Sequence, residues 1–125
     1  MILGLGIDLC DTTRMRRRLA GQPAGFVESV FLPAEIAYCS PKRHPEQHFA
    51  ARFAAKEAVV KALAAAGGEG AFWHDVEVIR AGDGQPTVAL HGRLRSLADG
   101  LGVRRIHLSL THTAGTAAAV AVAED

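Results

Sequence analysis

Three residues of this chain could together manage a phosphate and a divalent cation: Asp8, Glu57 and Lys61. Glu57 and Lys61 stand four apart in Arg52-Phe53-Ala54-Ala55-Lys56-Glu57-Ala58-Val59-Val60-Lys61-Ala62-Leu63, a segment of helical pattern, and so form an i,i+4 pair. At roughly 100° per residue, Phe49, Phe53, Val59, Val60 and Leu63 make one apolar arc, with Arg52 and Lys56 inside it. Ala50, Ala51, Ala54, Ala55, Ala58 and Ala62 fill the rest, a smooth surface that lets another backbone come close. A helix covered on most sides leaves its charges without water, and buried charges need partners. This predicts an anionic ligand for the cations and a metal ion for Glu57. Asp8 closes a strand-like segment whose bare positions are Gly4 and Gly6. A hard cation such as Mg²⁺ takes one or two carboxylates together with phosphate oxygens and waters. Asp8 and Glu57 beside Lys61, Lys56 and Arg52 therefore read as a shared metal–phosphate site. The plain alternative is an ordinary helical ion pair and an aspartate that merely ends a strand.

Other constellations are weaker. In Ser109-Leu110-Thr111-His112-Thr113, Ser109 and Thr111 project from one strand face and His112 from the other. No strand–turn–helix elbow surrounds Ser109, so ligand contact is expected there rather than a Ser/His nucleophile. Arg14, Arg16, Arg17 and Arg18 make either a solvated face or a docking strip for an acidic partner. No aromatic residues are interleaved with them, and the chain has no Walker loop or GxGxxG, which argues against nucleic acid as partner. His44, His48, His74 and His91 are expected at the surface or at caps.

The elements that must position these groups follow from periodicity and punctuation. Leu3, Leu5, Ile7 and Leu9 alternate with Ile2, Gly4, Gly6 and Asp8, which predicts a strand over 2–9 with the leucine face toward a core. Asp11 or Thr12 caps a helix to about Ala20, broken at Gly21-Gln22-Pro23. A short piece at Phe26–Val30 precedes a helix opened by Pro33 and running through Cys39, and Ser40 to Pro45 is a basic loop. The long helix runs from Pro45 to about Ala66 and stops at Gly67, Gly68 and Gly70. Two strands, 76–80 and 86–90, flank a Gly82-Asp83-Gly84-Gln85 turn. Leu94, Leu97, Ala98 and Leu101 mark a short amphipathic helix. Strands at 106–111 and 117–123 finish the chain around a turn at Thr113–Thr116. The expected class is α+β, one domain over 1–125, with a mainly antiparallel sheet packed on the long helix.

Bulk properties narrow the choice little. With 125 residues, 49% hydrophobic and 22% charged, the chain suits one soluble core, and a net charge of +1 favours neither nucleic acid nor a membrane surface. Cys10 and Cys39 form neither a disulfide framework nor a metal pattern. The apolar start lacks a basic flank and runs into Asp8, no run has membrane-span length, and a cytoplasmic location is expected.

Taken together, Gly4-Leu5-Gly6-Ile7-Asp8-Leu9 with Arg14, then Arg52-Phe53-Ala54-Ala55-Lys56-Glu57-Ala58 with Lys61-Ala62, then Gly84-Gln85-Pro86 and His107-Leu108-Ser109-Leu110-Thr111-His112-Thr113 resemble the small phosphopantetheinyl transferases of the holo-acyl-carrier-protein synthase type. The resemblance covers nearly the whole chain. It implies transfer of 4′-phosphopantetheine from coenzyme A to a serine of an apo acyl carrier protein, releasing adenosine 3′,5′-bisphosphate. By this likeness Asp8 and Glu57 hold Mg²⁺ with the diphosphate, and Lys61 stabilises the transition state. Glu57, directly or through water, accepts the serine proton. Arg52, Lys42 or Arg43, Pro86, Ser109 and His112 then grip the nucleotide and its 3′-phosphate, while Arg14, Arg17 and Arg18 dock the carrier protein. The likeness also implies a homotrimer with sites between subunits. Two departures stand out: Ser29 where the pattern commonly has arginine, and Ala64-Ala65-Ala66-Gly67-Gly68 where a Gly-Thr-Gly-like turn is common. Two other activities share the same residues: a Mg²⁺-dependent hydrolase of coenzyme A or another nucleotide diphosphate, and a non-catalytic acyl-carrier-binding module.

Overall fold

The alanine-rich helix is the element on which the main sheet packs. In a computed structural model, which describes residues 1–21, 24–68, 73–80, 82 and 84–125, it spans Pro45–Ala65 (α4) and lies against a three-stranded antiparallel sheet. The central strand of that sheet is β5 (Thr116–Glu124), flanked by β1 (Ile2–Asp11) and β4 (Arg105–His112). Ala117, Ala119, Ala121 and Ala123 of β5 are buried toward the helix, and Ala50, Ala51, Ala54, Ala55, Ala58 and Ala62 of α4 are buried in return. Small side chains on both surfaces bring backbone close to backbone. The predicted breaks at Gln22-Pro23, Gly70 and Asp83 lie outside the described residues.

The remaining elements pack onto this layer through α4, β1 and β4. Helix α1 (Thr12–Leu19) follows β1 directly, and the Asp11 carboxylate caps it by accepting from the Arg14 N–H at 3.0 Å. Helices α2 (Phe26–Val30) and α3 (Pro33–Cys39) precede α4. A 3₁₀ turn at Trp73–Asp75 leads into a second, two-stranded antiparallel sheet, β2 (Val76–Ile79) with β3 (Thr87–Leu90). Asp75 then accepts from the Leu94 N–H at 3.2 Å near the start of α5 (Gly92–Gly100). Among the described residues no helix is long and apolar enough to cross a membrane.

The sequence expectation for β1 holds at Leu3, which packs against the core, and is reversed beyond it. Gly4 and Gly6 face the helix, while Leu5, Ile7 and Leu9 are 60%, 60% and 66% exposed. The reason is contact of main chain with main chain: a Cβ at Gly4 would collide with the Ala62 carbonyl, and one at Gly6 with the Ala58 carbonyl. An alanine helix lying this close admits only glycine opposite it, so the larger residues turn outward. Gly6→Ala is expected to destabilise the chain by roughly 1–3 kcal/mol, the usual size of overpacking, read as a lower urea midpoint. An unchanged midpoint would contradict the close approach.

The outward face has its own pattern. Register pairs Leu5 with Val122, Ile7 with Val120 and Leu9 with Ala118, and across β5 sets His107, Ser109 and Thr111 beside the same three residues. That face therefore carries two apolar columns from β1 and β5 and one polar column from β4.

Candidate active site

Asp8 sits on the same face of β1 as Gly4 and Gly6, next to the helix turn that Gly6 abuts. The Lys61 ammonium reaches back from α4 to the Asp8 carboxylate at 2.9 Å and to the Ile7 carbonyl at 3.0 Å. The glycine floor makes this possible, because it brings the helix near enough for one lysine side chain to cross. The expected pairing of Glu57 with Lys61 is not the one found: Lys61 turns to Asp8, and Glu57 Oε1 instead accepts the indole Nε1–H of Trp73 at 2.7 Å.

Each carboxylate thus has one oxygen engaged, and among the described residues its second oxygen accepts no hydrogen bond. Among the described residues no three His, Cys, Asp or Glu side chains converge into a closed cage. The Asp8 carboxylate beside the Lys61 ammonium, with Glu57 one helix turn before Lys61 on α4, suits a hard divalent cation whose other ligands are phosphate oxygens and water.

The other two helix cations divide. Lys56 needs no outside anion: fully buried, it pairs with Glu35 at 2.8 Å and donates to the carbonyls of Trp73, at 2.8 Å, and Val76. Glu35 is buried too and also accepts the Leu32 and Val78 N–H groups, each at 2.9 Å. Burial holds the Lys56 ammonium below the usual lysine range, an effect that Glu35 opposes without cancelling. Lys56 is therefore a structural cation, contrary to the expectation of an anionic ligand. Arg52 fits that expectation better, since it is buried over the Tyr38 ring, 4.1 Å from its centroid, and its Nε has no hydrogen-bond partner among the described residues.

Around Tyr38 the structure collects several of the predicted nucleotide contacts. Lys42 lies 4.3 Å from the Tyr38 centroid, on the ring that Arg52 also covers. His48 packs edge-on between Tyr38, at 6.3 Å, and His112, at 5.3 Å. Burial, then the neighbouring His112, pushes the His48 pKa below its ordinary value. Lys42, Arg52, His48 and His112 thus form one basic cluster at the N-terminal half of α4. Arg43 is exposed on the loop beside it. Pro86 and Ser109 line a separate cavity of about 290 Å³ with Arg80, Gly84, Gln85, Leu108 and Leu110. Arg80 also borders the cavity of about 170 Å³ beside Arg52 and Tyr38. Sequence reasoning missed Tyr38, His48, Trp73 and Arg80. Trp73 and Tyr38, the one tryptophan and the one tyrosine of the chain, carried a visible signal.

The arginine strip is partly spent on the fold. Arg16 pairs with Glu46 at 3.1 Å, and Arg18 lies over the Phe26 ring at 4.5 Å. Arg14 and Arg17 remain exposed.

Comparison with known proteins gives this geometry a context. The family model described as the 4′-phosphopantetheinyl transferase superfamily matches residues 4–121. A holo-[acyl-carrier-protein] synthase of Koribacter versatilis is 44% identical over 125 residues, covering all of both chains. One from Anaeromyxobacter sp. (strain K) is 48% identical over 127 aligned positions, covering 99% of this chain and 97% of that one. The solved structure of Helicobacter pylori holo-[acyl-carrier-protein] synthase in complex with coenzyme A superposes with a TM-score of 0.80 at 28% identity, covering 96% of this chain and 99% of the other. With nearly its full length matched by a family model and by relatives 44% and 48% identical, this chain belongs to the 4′-phosphopantetheinyl transferase superfamily.

Proposed function

We propose that this chain is a holo-acyl-carrier-protein synthase, moving 4′-phosphopantetheine from coenzyme A to a serine of an apo acyl carrier protein. The observation that carries the reading is the Lys61 ammonium lodged between the Asp8 carboxylate and the Ile7 carbonyl, one helix turn from Glu57. In the reaction the serine oxygen bonds to the β-phosphorus of coenzyme A. The bond from that phosphorus to the bridging oxygen breaks, adenosine 3′,5′-bisphosphate departs, and the serine proton must be taken up.

Asp8 and Glu57 would hold Mg²⁺, which when bound supplies charge neutralisation at the diphosphate. Lys61, more than half exposed at its side chain, faces outward with Asp8 steadying it. It meets the negative charge that collects on the phosphoryl and leaving oxygens, the place where a preorganised cation lowers a barrier most. Glu57 accepts the serine proton, through water where its oxygens are otherwise engaged. Arg52, Lys42 and His112 hold the 3′-phosphate and nucleotide, with Arg43 at the rim and Pro86 and Ser109 along the neighbouring cavity. Arg14 and Arg17 present free cations to an acidic carrier protein, and Arg18 contributes from its stacked position.

Two features favour a site completed by a second copy within a homotrimer. Leu5, Ile7 and Leu9 form an uncovered apolar face with Val120 and Val122, the kind of patch that marks association. Arg52 and Glu57 also point roughly 140° apart around α4, so the basic cluster and the carboxylates flank different sides of one chain.

The direct test is intact-mass analysis of an apo acyl carrier protein incubated with this chain, coenzyme A and Mg²⁺. The expected result is a gain of one phosphopantetheine per carrier protein. Refolded, soluble protein that yields no mass gain on any acyl carrier protein would overturn the reading. Release of adenosine bisphosphate without that gain would favour the hydrolase.

A further inference from the structure

The polar contact made by Glu57 is with Trp73, and the surroundings of that tryptophan are built to hold it in place. Its ring stacks on Phe53, centroids 6.2 Å apart at 27°, and Phe53 stands one helix turn before Glu57 on α4. Its backbone is fixed independently, because the Trp73 carbonyl accepts from the buried Lys56 ammonium at 2.8 Å. An indole N–H can donate but cannot accept, so against a carboxylate it has one available role. The result is a relay of anchors: Glu35 holds Lys56, Lys56 holds the Trp73 backbone, and the Trp73 indole holds Glu57 Oε1 at 2.7 Å.

We propose that Trp73 is a positioning residue for the metal carboxylate, fixing Oε1 of Glu57 so that Oε2 faces the cation. This rests on Glu57 being a Mg²⁺ ligand. A glutamate free to rotate would have to be ordered on each binding event; one held by the indole is ordered beforehand. Groups that orient metal ligands in this way are worth about 10–100-fold in metal affinity. Phe53 and Lys56 then serve the site without touching the substrate, which accounts for two further residues of the helix motif.

Trp73→Phe tests it, since phenylalanine keeps an aromatic ring for Phe53 and lacks the donor. Calorimetric titration of Mg²⁺ into the complex with coenzyme A is expected to show affinity reduced about tenfold. The Mg²⁺ concentration for half-maximal transfer should rise in parallel, while kcat at saturating Mg²⁺ and metal-free affinity for coenzyme A stay near wild type. A purely structural role would not give that split. Trp73 is the chain's one tryptophan, so wild-type emission should also change when Mg²⁺ enters that complex and should not change in Glu57→Gln. Wild-type Mg²⁺ affinity in Trp73→Phe overturns the proposal and leaves the metal reading intact. No Mg²⁺ binding by the wild-type complex overturns the metal reading itself. Should Trp73→Phe fail to fold, wild-type emission unchanged by Mg²⁺, under conditions where calorimetry registers binding, overturns the proposal.

Discussion

Asp8→Asn and Glu57→Ala are each expected to lower phosphopantetheine transfer by at least about 10²–10³-fold while leaving the fold almost untouched. The asymmetry follows from where the two carboxylates lie. Asp8 pairs with a lysine whose side chain is half exposed, and such ion pairs contribute about 0–1 kcal/mol. Asparagine at position 8 keeps an oxygen for Lys61 and loses only the charge. Removing Glu57 releases the Trp73 indole to a partly solvated edge, where water replaces the lost acceptor. Melting temperatures should move by no more than a few degrees, since about 1 kcal/mol corresponds to roughly 2–8 °C in domains near this size. The lost activity has a different origin: both carboxylates supply negative charge to a site that must hold a cation against a diphosphate. Intact-mass kinetics together with thermal melts separate the two effects. Full transfer by either variant would remove that residue from the metal site, and a large drop in melting temperature would mean that its role is structural.

The legibility of this chain was uneven for physical reasons. Periodicity and punctuation located the helices and strands, because proline at position 45, the glycines after Ala66 and the alternation in 106–111 act locally. The facing of β1 did not follow from hydropathy. Leu5, Ile7 and Leu9 are the greasier residues, yet glycine faces the helix because the contact is main chain to main chain, and hydropathy scales do not weigh close approach. Pairing of charges was equally opaque. Spacing suggested Glu57 with Lys61, but Asp8 and Trp73 arrive from distant parts of the chain and capture one each. The basic cluster was half visible: Lys42, Arg52 and His112 could be nominated, whereas nothing in the spacing of Tyr38 and His48 showed that they bring these cations together.

Lys56 is where that limit matters most, and its removal carries the largest expected stability effect. Lys56→Met keeps the volume and apolar stem but leaves the Glu35 carboxylate buried without a counter-charge, and leaves the carbonyls of Trp73 and Val76 without their donor. Breaking a buried pair from one side costs about 3–5 kcal/mol. Against a total stability of about 5–15 kcal/mol, that is a large share. Denaturant unfolding should register it directly, with a raised Mg²⁺ requirement for transfer following from the loosened Trp73 backbone. Glu35→Gln on top of Lys56→Met is expected to recover part of the loss. The amide carries no charge, can still accept from the Leu32 or Val78 N–H, and offers a donor of its own to the neighbouring carbonyls. A double variant less destabilised than the sum of the singles identifies the interaction as the cause. A cost below about 1 kcal/mol for Lys56→Met would instead place its pairing with Glu35 among ion pairs of the ordinary exposed kind.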